Sequence, residues 1–161
     1  MLPEEVTKFI GQPGGDSILL EVEKGAIRRF ADAVEDPNLL YQDEKYARNS
    51  RYGAIVAPPG FFGWPAKLPT KQGMQPSYLR PDLREAMTKA GYSAGTTIDG
   101  GTEYEFYNPI RAGDTITVSS VIKDIVEREG KTKIVFTTTE ITYTNQNGDV
   151  VAKVRQTSIQ R

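Results

Sequence analysis

The 161-residue sequence contains no histidine and no cysteine. Without histidine, neither a Ser-His-Asp triad nor a Cys-His dyad can form within the chain. Without cysteine, a disulfide, a thiolate nucleophile and a zinc–sulfur site are excluded. Asp, Glu, Lys and Tyr therefore remain as the side chains available for general acid–base chemistry.

Long apolar runs and an excess of charge are also missing. The chain has 20 Lys and Arg against 21 Asp and Glu, so its net charge is −1. This balance gives no electrostatic reason to expect nucleic acid or a membrane surface as a partner. No apolar run approaches the ~20 residues of a membrane span, and the start of the chain, MLPEEVTKFIGQPGG, does not resemble a signal peptide. We therefore expect a cytoplasmic protein.

Motifs for common cofactors are absent as well. The sequence shows no GxGxxG, Walker or EF-hand spacing, and these spacings mark nucleotide and calcium sites. We expect no cofactor and no metal ion. An apolar content of 38% and a charged content of 25% are typical of a soluble globular domain.

The first half of the chain predicts helices. Residues 24–34, KGAIRRFADAV, place an apolar stripe on one helical face, and Asp36-Pro37 should end that helix. Residues 17–23, SILLEVE, form either a short strand or the lead into the helix. Residues 42–50, QDEKYARNS, predict one or two further turns. The stripe consists of Ala26, Ile27, Phe30, Ala31 and Val34.

Residues 53–95 are rich in proline and glycine. A long irregular segment inside a small domain is more often functional than idle. The segment contains one predicted helix, PDLREAMTKAG, with Pro81 in its first turn and Gly91 beyond its end.

The remainder of the chain predicts strands. Four runs rich in Thr, Val, Ile and Tyr are separated by glycine-containing turns. One long helix followed by an antiparallel meander predicts an α+β fold, with the sheet wrapped around the helix. The four runs are TTIDGGTEYEFYNPI, TITVSSVIKDIVER, KTKIVFTTTEITYT and DVVAKVRQTSIQ.

Four pieces in this order resemble the MaoC-like dehydratase family: the helix, DPNLLYQDEKYA, YGAIVAPPGFF and EYEFYNPIRAGD. The resemblance is greatest to its N-terminal dehydratase domain type, and it runs from about Val22 to the end of the chain. It implies a hot-dog fold, with residues 1–161 as a single domain, and a role in fatty acid metabolism. It further implies reversible hydration of an enoyl thioester, carried on CoA or acyl carrier protein, and pairing with an identical or different hot-dog subunit.

The catalytic motif of that family is altered in this sequence. Catalytic members carry Asp-x-Asn-Pro-x-His; Asp36 and Asn38 match it, whereas Leu39 replaces the proline and Tyr41 the histidine. A second segment, Ile-Ala-His-Gly, is matched by Val56-Ala57 followed by Pro58-Pro59. The glycine N–H that would polarise the thioester carbonyl is then a proline, which has none. A shift of one residue would instead place Gly60 there.

These replacements predict a degenerate site. Asp36 and Tyr41 are the catalytic candidates, but a phenol with a pKa of about 10 is a poor base at pH 7. We therefore predict an acyl-binding subunit that pairs with a catalytic hot-dog partner. The predicted substrate-binding residues are Asn38, Ala57, Pro58, Pro59, Gly60, Phe61, Phe62 and Trp64.

Several other interpretations stay open. Asp36-Pro37-Asn38 could simply end a helix, and Tyr41 and the aromatic residues after Pro59 could pack in a core. Asp99 and Glu103 border a strand and favour a solvated or hydrogen-bonded role. The alternative functions are an active homomeric hydratase using Asp36 and Tyr41, a non-enzymatic acyl-thioester-binding protein and a thioesterase. The candidate contacts for CoA phosphates, which could equally be solvated, are Lys67, Lys71 and Arg80.

Overall fold

The computed structural model describes residues 2–61, 80–92, 97–129 and 133–160. A 3₁₀ turn, Leu39–Tyr41, lies between the second and third helices. The helices are α1 (Glu4–Thr7), α2 (Lys24–Ala33), α3 (Glu44–Arg48) and α4 (Pro81–Lys89). The strands are β1 (Ile18–Glu21), β2 (Thr97–Phe106), β3 (Thr115–Glu129), β4 (Lys133–Thr144) and β5 (Val150–Gln160).

Within the described ranges, five strands form one antiparallel sheet in the order β1-β3-β4-β5-β2. The predicted meander is confirmed for β3, β4 and β5, but it is wrong for β2, which crosses the sheet to pair with β5. The link between β2 and β3 is not a tight turn because residues 110–112 pair with residues 55–57. The Ala57 N–H donates to the Ile110 carbonyl at 2.9 Å, and the Ala112 N–H donates to the Ile55 carbonyl at 3.0 Å.

Helix α2 packs on the inner face of the sheet. Its side chains Ile27 and Ala31 are completely buried, in one cluster with Ile116 and Ile141 of the sheet. Burial of an isoleucine side chain contributes about 1.5–3 kcal/mol. Val34 departs from the predicted stripe, since it caps the helix and is 54% exposed. A long antiparallel sheet around a central helix is the hot-dog fold, as the resemblance implies.

A second apolar cluster covers the other end of the inner face. Val6 in α1, together with Leu83 and Met87 in α4, packs against Ile122 and Val135 of the sheet. The sequence predicted α4 but gave no sign of α1. Both ends of the inner face are therefore covered by helices of the chain itself.

The outer face of the sheet carries a row of alternating charges. Lys123 lies 3.3 Å from Glu140, Arg155 lies 3.7 Å from the other carboxylate oxygen of Glu140, and Glu103 lies 3.3 Å from Arg155. The row crosses β3, β4, β5 and β2 in that order. It leaves this part of the outer face polar.

Candidate functional site

Helix α2 ends in a C-terminal capping motif that sets the direction of the following chain. The Asp36 N–H donates to the Ala31 carbonyl at 2.9 Å, and the Glu35 N–H donates to the Asp32 carbonyl at 3.2 Å. These are the two bonds of a Schellman motif. Its left-handed position is occupied by Glu35, at a φ of 55°. The predicted helix end at Asp36-Pro37 is confirmed.

The side chains of Asp36 and Asn38 shape the next turn. The Asn38 N–H donates to Asp36 Oδ1 at 3.1 Å, and the Leu40 N–H donates to Asn38 Oδ1 at 3.0 Å. Such local bonds favour turns over helix continuation. The segment therefore forms a turn, as one interpretation of the sequence predicted. The turn holds Asp36 and Asn38, the two residues that match the family motif, close together.

Tyr41 closes the same turn and lies in the α2 cluster at 8% exposure. Burial, the charge of Asp36 and the nearby Tyr52 raise the pKa of Tyr41 above its ordinary value of 10, against a hydrogen bond from Asn38 that lowers it. The phenol is therefore neutral at pH 7, where it can donate a hydrogen bond but is a poor proton acceptor. The structure thus brings Asp36, Asn38 and Tyr41 together.

The proline-containing segment runs beside this turn. The Val56 N–H donates to the Leu40 carbonyl at 3.3 Å, and the Phe61 N–H donates to the Pro58 carbonyl at 3.0 Å. With Pro59 second and Gly60 third at a φ of 91°, residues 58–61 have the pattern of a type II turn. Gly60 retains the one backbone N–H among residues 58–60.

The predicted acyl-contacting residues separate into buried and exposed ones. Pro58 and Phe61 are buried, and the Phe61 ring packs edge-on against Phe30, with 5.4 Å between centroids. Pro59 and Gly60 are exposed, and Ala57 is half-buried. Phe62, Trp64, Lys67 and Lys71 lie outside the described residues.

The remaining sequence candidates have structural partners. Arg80 binds Asp82 at 2.6 Å, donates to the Pro13 carbonyl at 3.3 Å and lies over the Phe9 ring. Asp99 accepts a hydrogen bond from the Gly101 N–H at 2.9 Å, at an irregular position of β2. These contacts fix Arg80 to the α1 and α4 end of the molecule.

Two residues beside the site were not indicated by the sequence. Arg28 donates to the Gln42 carbonyl at 3.0 Å and so ties α2 to the chain that follows Tyr41. Tyr52 contributes to the raised pKa of Tyr41, and its hydroxyl oxygen accepts a hydrogen bond from the Arg51 guanidinium. Both lie inside segments that carry the family resemblance, Arg28 in the helix and Tyr52 at the start of YGAIVAPPGFF, but neither matches a position of the catalytic motif.

Two surface cavities lie at the opposite end of α2, with volumes of about 200 Å³ and 680 Å³. Lys24, Ile55 and Ala112 are among the residues that line the smaller one. Glu21, Gly113 and Thr115 are among those that line the larger one. Neither lining includes Asp36, Asn38 or Tyr41.

The arrangement offers limited acid–base chemistry. Asp36 supplies a carboxylate, one oxygen of which accepts the Asn38 N–H, and Tyr41 supplies a neutral hydroxyl. In the described ranges, no group of three Asp or Glu residues could hold a metal ion. None of the helices in the described part is long and apolar enough to cross a membrane.

A protein-family model matches most of the chain. The family model of the FAS1-like dehydratase domain region matches residues 8–154. The chain belongs to the MaoC-like dehydratase family.

Two relatives show how the MaoC-like chain compares in length. A UPF0336 protein of Thermobifida fusca is 32% identical over 110 residues, which cover 68% of this chain and 65% of that protein. A probable enoyl-CoA hydratase alpha subunit of Thermomonospora curvata is 30% identical over 93% of this chain. The MaoC-like chain spans only about half, 47%, of the length of that second relative.

Solved structures share the fold at low sequence identity. The ChsH1–ChsH2 complex of Mycobacterium tuberculosis matches with a TM-score of 0.72 at 19% identity, covering 92% of this chain and 88% of the other. The HadBC (3R-hydroxyacyl-ACP dehydratase) complex of the same organism matches with a TM-score of 0.65 at 21% identity, covering 96% and 98%. Both are complexes of two differently named subunits.

Proposed function

We propose that this MaoC-like chain is the acyl-binding subunit of an enoyl-CoA hydratase or 3-hydroxyacyl dehydratase, paired with a hot-dog subunit that carries the catalytic Asp and His. The carrier is CoA or acyl carrier protein. A cytoplasmic location and a role in fatty acid metabolism belong to the same proposal.

The observation that carries the proposal is the state of Tyr41. Hydration requires one group to take a proton from water and another to give a proton to the α-carbon. Burial and the charge of Asp36 raise the pKa of the Tyr41 phenol above its ordinary value, which makes it a poor substitute for the base that histidine supplies in catalytic members of the family. A positioned acid or base is worth about 10²–10⁴ in rate, so this chain alone should be slow.

The edge of the sheet supports pairing with a second subunit. β2 is the terminal strand, and all of its residues except Thr102 are exposed. Tyr104, Phe106 and the following Tyr107 are 50%, 54% and 52% exposed. A long exposed edge with large apolar side chains is a template for another strand.

The experiment compares enoyl-CoA hydration by the chain alone and by its complex with a hot-dog partner that has an intact Asp-x-Asn-x-x-His motif. We expect little activity from the chain alone and full activity from the complex. Replacing the partner's motif histidine should abolish turnover.

Two substitutions in this chain test its own contribution. Asp36→Asn keeps an oxygen that can accept the Asn38 N–H, and Tyr41→Phe removes only the hydroxyl. Each should change turnover of the complex by no more than about twofold. If the chain alone hydrates enoyl-CoA rapidly and either substitution lowers kcat by ~10² or more, the chain is instead an active homomeric hydratase.

Binding separates the remaining alternative. A complex that binds a saturated acyl-CoA but shows no hydration with any partner would indicate a non-enzymatic acyl-thioester-binding protein.

A further inference from the structure

The charges on β2 are all of one sign. The strand carries Asp99, Glu103 and Glu105 and has no lysine or arginine. Tyr104 lies between the two glutamates in sequence and is half exposed. Any strand that adds to this edge must therefore be compatible with closely spaced carboxylates.

Among the described residues, the cations opposite Glu103 and Glu105 lie on β5. Arg155 of β5 lies 3.3 Å from Glu103, and Lys153 of β5 is the register partner of Glu105. Glu105 also accepts a hydrogen bond from the Tyr107 hydroxyl. In the described part of the sheet no strand follows β2, so no described strand places a cation on its outward side.

The allowed registers of a pair of identical β2 strands follow from the fold. Two copies related by a twofold axis perpendicular to the sheet pair antiparallel. This axis keeps the inner faces of both copies on the same side of the joint sheet. Directly opposed residues must therefore both point to the inner face or both to the outer face, and a shift by one residue would break this match. One residue must then face its own copy, with the axis midway between the two. Residues equally far before and after that residue face each other, and the register is named below by that residue.

Each central register of this kind brings glutamates together. With the axis at Glu103, at Tyr104 or at Glu105, a glutamate of one copy lies directly opposite a glutamate of the other. With the axis at Thr102 or Phe106, two glutamates are diagonal neighbours. Direct and diagonal neighbours on one face are about 4.5–5.5 Å and 7–8 Å apart, and directly opposed like charges destabilise the pairing.

We infer that the partner at β2 is a different chain, whose own edge strand presents lysine or arginine on the outer face opposite Glu103 and Glu105. This inference rests on the proposed function, which requires a second subunit. It adds that a second copy of this chain is the disfavoured occupant and gives the charge of the favoured one.

The first experiment removes the carboxylate charges without changing their shape. The E103Q/E105Q double variant, alone at low ionic strength, should form homodimers about tenfold more tightly than the wild type in sedimentation equilibrium. The difference should largely vanish near 1 M salt, where charges are screened within about 3 Å. The control E21Q/E23Q removes two charges at the end of β1 and at the start of α2, and it should leave the dimer dissociation constant unchanged.

The second experiment supplies a basic edge directly. An E103K/E105K copy, mixed with the wild type, should give mixed dimers in excess of both homodimers by native mass spectrometry. If the lysines beside Lys153 and Arg155 prevent folding of that copy, the glutamine variant decides the question by itself.

A wild-type homodimer that is tight at low ionic strength and no tighter in E103Q/E105Q would overturn the inference. Acyl-CoA binding by that homodimer would still leave an acyl-binding function standing. Conversely, stronger self-pairing of E103Q/E105Q, without acyl-CoA binding by this chain or by its complex with a partner, would reject the proposed function and keep the inference.

Discussion

The two edges of the sheet are built differently. The β1 edge is a strand of four residues, and the chain before it continues along β3 as irregular backbone. There the Gly11 N–H donates to the Ile122 carbonyl at 2.8 Å and the Gly14 N–H donates to the Ser120 carbonyl at 2.9 Å. The β2 edge is a strand of ten residues whose outward side has no neighbouring strand among the described residues.

This difference indicates which edge is available for a partner. Short strands, proline and irregular covering segments protect an edge from pairing, and the β1 side combines all three, with Pro13 opposite Val121. The β2 side presents Tyr104 and Phe106 instead, with their rings stacked 6.1 Å apart. The β1 side is thus a short strand continued along β3 by irregular backbone, whereas among the described residues the β2 side is a long strand with no strand beyond it.

The largest expected effect comes from breaking the β2 edge. The Y104K/F106K double variant should weaken pairing with a hot-dog partner by about 100-fold, because exposed aromatic residues commonly dominate interfaces. Leu19 of β1 is 70% exposed, so Leu19→Lys is the matched control and should leave affinity unchanged. Isothermal titration with the partner measures both, and equal losses in the two variants would contradict the comparison.

The next effect comes from opening the β1 edge. A Cβ on Gly14 would lie 2.6 Å from Ser120 Oγ and 3.3 Å from Ser120 Cβ. Gly14→Ala should therefore push residues 11–14, called the covering segment, away from β3. We expect a loss of about 1–3 kcal/mol in the free energy of unfolding. A Cβ on Gly15 would meet nothing within 4 Å, so Gly15→Ala should be nearly neutral.

Urea unfolding of the two alanine variants provides the measurement. Equal stability of Gly14→Ala and the wild type would show that the covering segment does not hold the β1 edge. If Gly14→Ala is destabilised, Ser120→Gly in its background should restore part of the loss, since it removes both contacting atoms.

The edges also show what the sequence could and could not predict. The sequence predicts strand β2 because its content of Thr, Ile and Tyr and the glycine-containing turn after it are local signals. Its place beside β5 was not predicted, because that place depends on residues 110–112 pairing with residues 55–57, distant in sequence. The same holds at the site: Asp36, Asn38 and Tyr41 are close in sequence and were found, whereas Tyr52 reaches Tyr41 only through the fold.

A smaller effect is expected from the charged row on the outer face, which runs from β3 to β2. Glu140 contacts Lys123 and Arg155, and its side chain is 21% exposed. Glu140→Gln should lower the free energy of unfolding by about 1 kcal/mol, the upper range for exposed ion pairs, because two cations lose one shared partner. The loss should shrink in 1 M salt. A salt-independent loss in urea titrations would assign the effect to packing instead.

The smallest effect is expected at the end of α2, away from both edges. A substitution there should change the free energy of unfolding without changing the affinity for a partner. Glu35 occupies the left-handed position that ends α2, at a φ of 55°. An L-residue pays about 1–2 kcal/mol in that conformation, whereas glycine does not but loses about 0.5–1 kcal/mol more in conformational entropy on folding. Glu35→Gly should therefore stabilise the chain by about 0.5 kcal/mol, measured by urea unfolding. Because Glu35 lies at the end of α2 and not on the β2 edge, the substitution should leave partner affinity unchanged. A change in affinity as large as that of Y104K/F106K would mean that the end of α2, rather than the β2 edge, forms the main contact with the partner.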